Sequence, residues 1–220
     1  MLSFKKVVTL FTVLTLVGCA GNGEEIEPSP LVKIQSEKSV KTIWSNNIGS
    51  SFGEKYHQLT PSIAGASIFA TDTDGEVSSY DTKSGKKNWS VDLDTSISSG
   101  VGSGEGVVVV VSYSGDVYAL SSDNGEILWQ VPVGGEVVSQ AQLNRKLVVL
   151  QLVTGDVVAL DKLTGEQRWV FTSNQPNLTL RGTSSPLVAQ DATLVGLDNG
   201  KYTALDNDSG RVLWQHRISI

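Results

Sequence analysis

The chain has 220 residues, 40% of them hydrophobic and 18% charged, with 22 glycines and a formal net charge of −6. That composition argues against a disordered or membrane-embedded chain. The acidic balance and the lack of a Lys/Arg cluster argue against a nucleic-acid partner, which needs basic patches to displace phosphate counterions.

Residues 1–18 read as a secretory signal. Lys5 and Lys6 supply the positive region, and Val7 to Val17 form an apolar run of 11 residues. A spanning helix needs about 20 apolar residues, so this run is too short to cross a bilayer. Leu16-Val17-Gly18-Cys19 resembles a bacterial lipobox, in which small residues precede a cysteine that is lipidated and becomes the new N-terminus. Cys19 is the single cysteine, so no intramolecular disulfide is possible. Residues 19–40, with Gly21, Asn22, Gly23, Glu24, Glu25, Pro28 and Pro30, read as the lipidated cysteine and a polar tether. By the same resemblance, Ala20 rather than aspartate after the cysteine implies sorting to the outer membrane, with the domain facing the periplasm.

From about residue 41 the chain repeats. Trp44, Trp89, Trp129, Trp169 and Trp214 are spaced 45, 40, 40 and 45 residues apart, and the last four follow Gly85, Gly125, Gly165 and Gly210 by four positions. A repeat of roughly 40 residues is one supersecondary unit that buries its faces only by stacking on copies of itself. Complete copies are expected at about 57–93, 97–133, 136–173 and 181–218. Trp44 marks a further copy of which only a closing strand, about 41–48, precedes the others.

Each copy reads as four strands. In the second these are Ile97–Gly102, Val107–Tyr113, Asp116–Ser121 and Ile127–Val133. The run of five valines from Val107 does not alternate, which predicts a strand buried on both faces. Asp74-Gly75, Ser114-Gly115, Thr154-Gly155 and Asn199-Gly200 predict two-residue hairpins with positive φ at both turn residues. Five-residue turns follow at Asp81–Gly85, Ser121–Gly125, Asp161–Gly165 and Asp206–Gly210, where an Asp or Ser oxygen accepts backbone N–H bonds and the glycine turns left-handed. The third strand carries a small residue, Ser79, Ala119, Ala159 or Ala204, that leaves room for an indole. We expect each indole to pack across onto an adjacent sheet's turn.

The sum is an all-β protein, a β-propeller of four-stranded antiparallel blades. Ala159-x-Asp161-x-x-Thr164-Gly165-x-x-x-Trp169 resembles the tryptophan-docking motif of quinoprotein-like propellers. That resemblance implies eight blades, about 320 residues at this period. The chain is therefore expected to be the front portion of a ring, with four complete blades and one closing strand.

Lipobox, acidic tether and quinoprotein-like repeats together resemble the scaffold-lipoprotein family of the outer-membrane β-barrel assembly machinery. The resemblance implies a non-catalytic protein without cofactor that binds the POTRA domains of BamA and assists delivery of unfolded barrel proteins. Leu178-Thr179-Leu180-Arg181-Gly182 is similar to the family's contact loop, which implies partner-binding roles for Leu178, Leu180 and Arg181. Family members also use acidic residues of the next blade, beyond Ile220. The loop lies in one of two connections lengthened by five residues, Phe171–Gly182 and Asn47–His57, expected on the same face of the ring. An exposed Leu-x-Leu-Arg has apolar anchors beside a forked donor; alternatively both leucines begin a strand and point inward.

The rival reading is a quinoprotein dehydrogenase or a small-ligand-binding propeller of the same fold. Such enzymes use a catalytic aspartate, a calcium ion and often adjacent cysteines, and here the one cysteine belongs to the lipobox. Asp72-Thr73-Asp74-Gly75 and Asp206–Gly210 faintly resemble calcium loops, yet position 12 is Lys83 or Arg217 rather than glutamate, so turn chemistry explains them better. His57 and His216 have no second cysteine with which to complete a zinc set.

Overall fold

The computed structural model describes residues 29–31, 38–49, 59–173 and 184–218, and its compact β unit begins at Thr42. Among the described residues there are sixteen strands and no helix. Blade 1 comprises β1 (Ser62–Ala64), β2 (Ser67–Thr71), β3 (Glu76–Asp81) and β4 (Lys87–Asp92). Blade 2 comprises β5 (Gly102–Gly104), β6 (Val107–Val111), β7 (Asp116–Ser121) and β8 (Ile127–Pro132). Blade 3 comprises β9 (Gln142–Leu143), β10 (Leu147–Gln151), β11 (Val157–Asp161) and β12 (Gln167–Phe171). Blade 4 comprises β13 (Leu187–Val188), β14 (Ala192–Leu197), β15 (Lys201–Asp206) and β16 (Val212–Arg217). Each blade is an antiparallel sheet whose strands pair in chain order.

The middle strands are sandwiched between neighbouring blades, which is why they read as unbroken apolar runs. All five valines of β6 are buried. Val108 and Val110 join Phe69 and Val77 of blade 1, whereas Val107, Val109 and Val111 join Val148, Leu150, Val158 and Leu160 of blade 3. Blade 3 repeats the arrangement: Leu147, Val149, Val157 and Ala159 pack with Val195, Leu197 and Leu205 of blade 4. At about 25 cal/mol per Å² of apolar surface removed from water, these seams carry most of the hydrophobic stabilisation.

The seams are joined at the same point each time. The indole N–H of Trp89 donates to the Ser122 carbonyl at 2.9 Å, Trp129 to Lys162 at 2.9 Å and Trp169 to Asn207 at 2.7 Å, always in the following blade. Trp44 does the same to Thr82 at 2.9 Å. The indole lies against the turn glycine: a Cβ added to Gly85, Gly125, Gly165 or Gly210 would stand 2.6–2.8 Å from ring atoms of Trp44, Trp89, Trp129 or Trp169. Those glycines also have φ between +70° and +78°. Glycine is therefore required both by backbone conformation and by ring contact.

Within each blade the tryptophan faces the small third-strand residue across the ladder, as Ser79 with Trp89, Ala119 with Trp129, Ala159 with Trp169 and Ala204 with Trp214. Immediately after this pair the register shifts in all four blades. A bulge re-aims the side chain beside it, and here it accompanies an indole directed at the next blade.

Two features differ from the sequence expectations. The hairpins between second and third strands are not two-residue turns with both residues at positive φ. Gly115, Gly155 and Gly200 donate their amides to residues three back, and each is left-handed while Ser114, Thr154 and Asn199 are not. The turn is right-handed with one left-handed glycine closing it, a longer connection that also matches strand twist. Second, blade 2's first strand begins at Gly102 rather than Ile97. The preceding residues cross the seam instead: Ile97 makes one isolated bridge to Ser112, and Ser98 Oγ donates to the Val137 carbonyl at 2.7 Å. Residues 41–48 pair with no strand among the described residues, and Trp44 is docked.

Blade 1 carries a surface network in which Glu76 accepts hydrogen bonds from Ser90 at 2.6 Å, Ser78 at 2.9 Å and Lys87 at 3.1 Å. Bonds to the ionised form, from Ser90 first and then Ser78 and Lys87, lower the Glu76 pKa from 4.5 to about 2. Because the folded value is depressed, the stabilisation is complete above about pH 4.5 and is lost as pH falls towards 2. Glu76→Gln is expected to cost about 1 kcal/mol at neutral pH, the site being partly exposed. The gap between variant and wild type in urea-unfolding midpoint closes between about pH 4.5 and pH 2. In the same assay at neutral pH, Trp129→Phe is expected to cost about 1–3 kcal/mol, because it strands the Lys162 carbonyl and shrinks a packed ring. Trp214→Phe in the 220-residue chain is expected to cost less than about 0.5 kcal/mol, as at an ordinary surface position, since no acceptor faces its indole N–H among the described residues and the ring is 41% exposed.

Candidate functional site

Antiparallel pairing in chain order gives each blade two unlike ends. One, the turn end, holds the hairpins between first and second strands and the five-residue turns between third and fourth. The other, the loop end, holds the glycine hairpins and the connections that pass from one blade to the next.

At the turn end the repeat's aspartates are occupied by backbone. Asp81 Oδ1 accepts from the Ser84 amide at 2.8 Å and its hydroxyl at 2.7 Å, and Asp206 Oδ1 accepts from the Ser209 amide at 2.9 Å. Hydrogen bonds from Ser84 and Ser209 hold these two carboxyls below the ordinary aspartate value. For Asp161, burial pushes upward, but the Leu163 and Thr164 amides outweigh it and the net direction is down. Ionised turn acceptors are poor general bases, which need values near the operating pH.

At the loop end, Asp72 Oδ1 accepts from the amides of Asp74, Gly75 and Glu76 at 2.8–3.0 Å. The faint calcium-loop pattern is thus a turn cap. Among the described residues, no group of three or more His, Cys, Asp or Glu is arranged to hold a metal. His216 instead stacks in an aromatic cluster with Tyr202 and Trp214, ring centroids 5.4–5.7 Å apart, on the open face of blade 4.

Both lengthened connections belong to the loop end. Gly49 lies against the Asp72 side chain there, and Ser184, which re-enters blade 4, donates from Oγ to the Gly196 carbonyl at 3.4 Å. The Gln151 side-chain amide donates to the same carbonyl at 2.8 Å, while its Oε1 is buried with no partner among the described residues. Leu178, Leu180 and Arg181 lie outside the described residues, as does Cys19. The structure therefore describes the anchors of the candidate partner loop, not the loop itself.

Two features of the turn end escaped the sequence reading. One is a cleft of about 630 Å³ lined by hairpin and turn residues of blades 2, 3 and 4, including Glu105, Leu143, Arg145, Val188 and Asp191. The other is Lys162, buried in the seam, whose Nζ donates to the Glu105 carbonyl at 3.1 Å. Glu105 is left-handed at φ +51°, so this lysine ties down a strained hairpin of the preceding blade. The signal in the sequence was faint, since only blade 3 has lysine in that position.

A family model described as outer membrane protein assembly factor BamB matches residues 28–96 and 73–220. The chain is 47% identical over 221 residues to the outer membrane protein assembly factor BamB of Pseudomonas aeruginosa, covering all of this chain and 58% of that protein. It is 35% identical over 227 residues to the protein of that name from Yersinia pestis, covering 97% of this chain and again 58% of the relative. The chain thus spans somewhat over half the length of these relatives. Among solved structures, BamB from Moraxella catarrhalis superposes with a TM-score of 0.69 at 25% identity, over 73% of this chain and 49% of that one. A quinohemoprotein alcohol dehydrogenase from Pseudomonas putida HK5 superposes with a TM-score of 0.59 at 17% identity, over 72% of this chain and 33% of that one, a likeness of fold alone. By its sequence repeat, its tryptophan-joined blades and the span of the family match, the chain belongs to the BamB family of outer membrane protein assembly factors.

Proposed function

We propose that the protein is a non-catalytic scaffold of outer-membrane protein assembly, held by a lipid on Cys19 at the outer membrane and facing the periplasm. The observation that carries this reading is the family match across residues 28–96 and 73–220, together with identities of 35–47% to proteins named as assembly factors. Its partner is BamA, engaged through the POTRA domains by Leu178, Leu180 and Arg181. In support, the connection that holds these residues is one of the two long ones and enters blade 4 at the loop end. An arginine fork flanked by two leucines suits a partner that offers a carboxylate beside an apolar pocket.

The four blades belong, on this reading, to a ring of eight. Two observations favour a larger ring: the relatives are longer than this chain, and among the described residues Trp214 lacks the seat that its four counterparts have. The dehydrogenase reading has only likeness of fold behind it, at 17–18% identity, and one fold hosts unrelated functions.

Two experiments test the proposal. In a pull-down with BamA POTRA domains, Arg181→Ala is expected to reduce capture about tenfold or more, the scale of a hot-spot arginine, and undiminished capture would reject the site. In cell fractionation, Cys19→Ser is expected to move the protein from the outer-membrane pellet to the soluble periplasmic fraction. Retention in the pellet would reject the lipid anchor.

A further inference from the structure

The chain enters blades 2 and 3 under two restraints, an apolar side chain and a serine. Ile97 and Val137, each 32 residues before its blade's tryptophan, are fully buried in the cores of the two seams. Two residues further on, Ser99 and Ser139 are buried and bond the second strand: Ser99 Oγ accepts from the Val111 amide at 2.9 Å, and Ser139 Oγ donates to the Gln151 carbonyl at 3.5 Å. The sequence position matching Ile97 and Val137 in blade 4 is Gly182, which has no side chain to bury. The matching serine, Ser184, is exposed, and its hydroxyl reaches the Gly196 carbonyl at 3.4 Å.

Gln151 supplies the missing restraint. It ends β10 of blade 3, is 1% exposed, and donates its side-chain amide across the seam to that same Gly196 carbonyl at 2.8 Å. The corresponding residues of blades 1 and 2 make no such crossing: Thr71 keeps its hydroxyl on carbonyls of its own blade, and Val111 is apolar. Stability alone does not account for the glutamine. Its Oε1 is buried with no partner among the described residues, and a buried acceptor left unsatisfied costs free energy that an apolar residue at the same position avoids.

We propose that Gln151 is the positioning residue of the partner loop. It fixes the point at which the connection bearing Leu178, Leu180 and Arg181 re-enters blade 4, and so holds that connection ready to bind. The proposal rests on the reading above in which those three residues meet the POTRA domains. Gln151 is buried in the seam and acts through the Ser184–Gly196 anchor. A connection fixed beforehand loses less conformational freedom on binding. Where only a fraction of molecules is competent, the apparent Kd rises as the inverse of that fraction.

The test starts from Gln151→Met, which keeps the side-chain length while removing both the crossing bond and the unsatisfied oxygen. Its urea-unfolding midpoint is expected to match or exceed that of the wild type. Two further measurements read positioning. Trypsin cleavage after Arg181 under native conditions is expected to accelerate about fivefold, since cleavage follows the population of the open form. The Kd for POTRA domains, by calorimetry, is expected to rise about fivefold as the competent fraction falls. Gln151→Val, which installs the residue that blade 2 carries as Val111, is the second variant and is expected to behave alike. A lowered midpoint in both variants would assign Gln151 to stability and overturn the proposal. Cleavage at the wild-type rate in both would overturn it too. Arg181→Ala in the same titration separates a failed anchor from a failed partner: if it weakens binding and the Gln151 variants do not, the positioning role is overturned. If Arg181→Ala leaves the Kd unchanged, it is the POTRA contact that fails, and the cleavage rate alone decides the role of Gln151.

Discussion

Everything in this structure depends on one joint, an indole laid on a glycine turn of the next blade with its N–H bonded to a carbonyl of that turn. A four-stranded sheet with two apolar faces buries neither of them by itself and must stack on copies of itself. Stacking solves that problem only if neighbours hold a fixed distance and rotation, and valines alone do not fix either. The joint does so at the edge of each seam, where sliding would cost a hydrogen bond and drive a ring into backbone. It repeats at Trp44, Trp89, Trp129 and Trp169 with indole-to-carbonyl distances of 2.7–2.9 Å, despite connections of two different lengths. The variable loops therefore change length without disturbing the stack.

The joint also explains what was legible in the sequence. Trp129 and Gly165 are 36 residues apart, yet their recurrence at fixed spacing in successive copies exposes them as one device. The valine run from Val107 announces burial on both faces, and the aspartates of the turns announce backbone capping. Illegible were features set by only one copy or by tertiary detail. Blade 2's first strand starts at Gly102, and before it the Ser98 hydroxyl bonds the Ser112 carbonyl of its own blade and the Val137 carbonyl across the seam, which no pattern of apolar residues reveals. The glycine hairpins adopt a longer turn because a single left-handed residue suffices, and the dipeptide alone does not distinguish the two forms. The Lys162 tie to blade 2 was visible only as an exception: a lysine where the other copies carry Thr, Ser or Asn.

Fold and function separate cleanly along the blade. The seams and turn aspartates are consumed by architecture, which is why the same repeat serves dehydrogenases and assembly factors alike. What is left for recognition lies at the blade ends, where side chains are free of the stack. The loop end carries the two lengthened connections, and the turn end carries a cleft along the seam of blades 3 and 4.

The central claim is that indole and glycine act as one unit across the seam, and a double-mutant cycle in urea unfolding tests it most directly. Gly165→Ala in the wild-type background places a Cβ 2.8 Å from the Trp129 ring at a left-handed position, with an expected cost of about 2–4 kcal/mol. In a Trp129→Ala background the ring contact is gone, and the cost falls to the backbone strain alone, about 1 kcal/mol. The account predicts a coupling energy of about 1–3 kcal/mol between two positions 36 residues apart. Additivity of the two substitutions to within about 0.5 kcal/mol would contradict it.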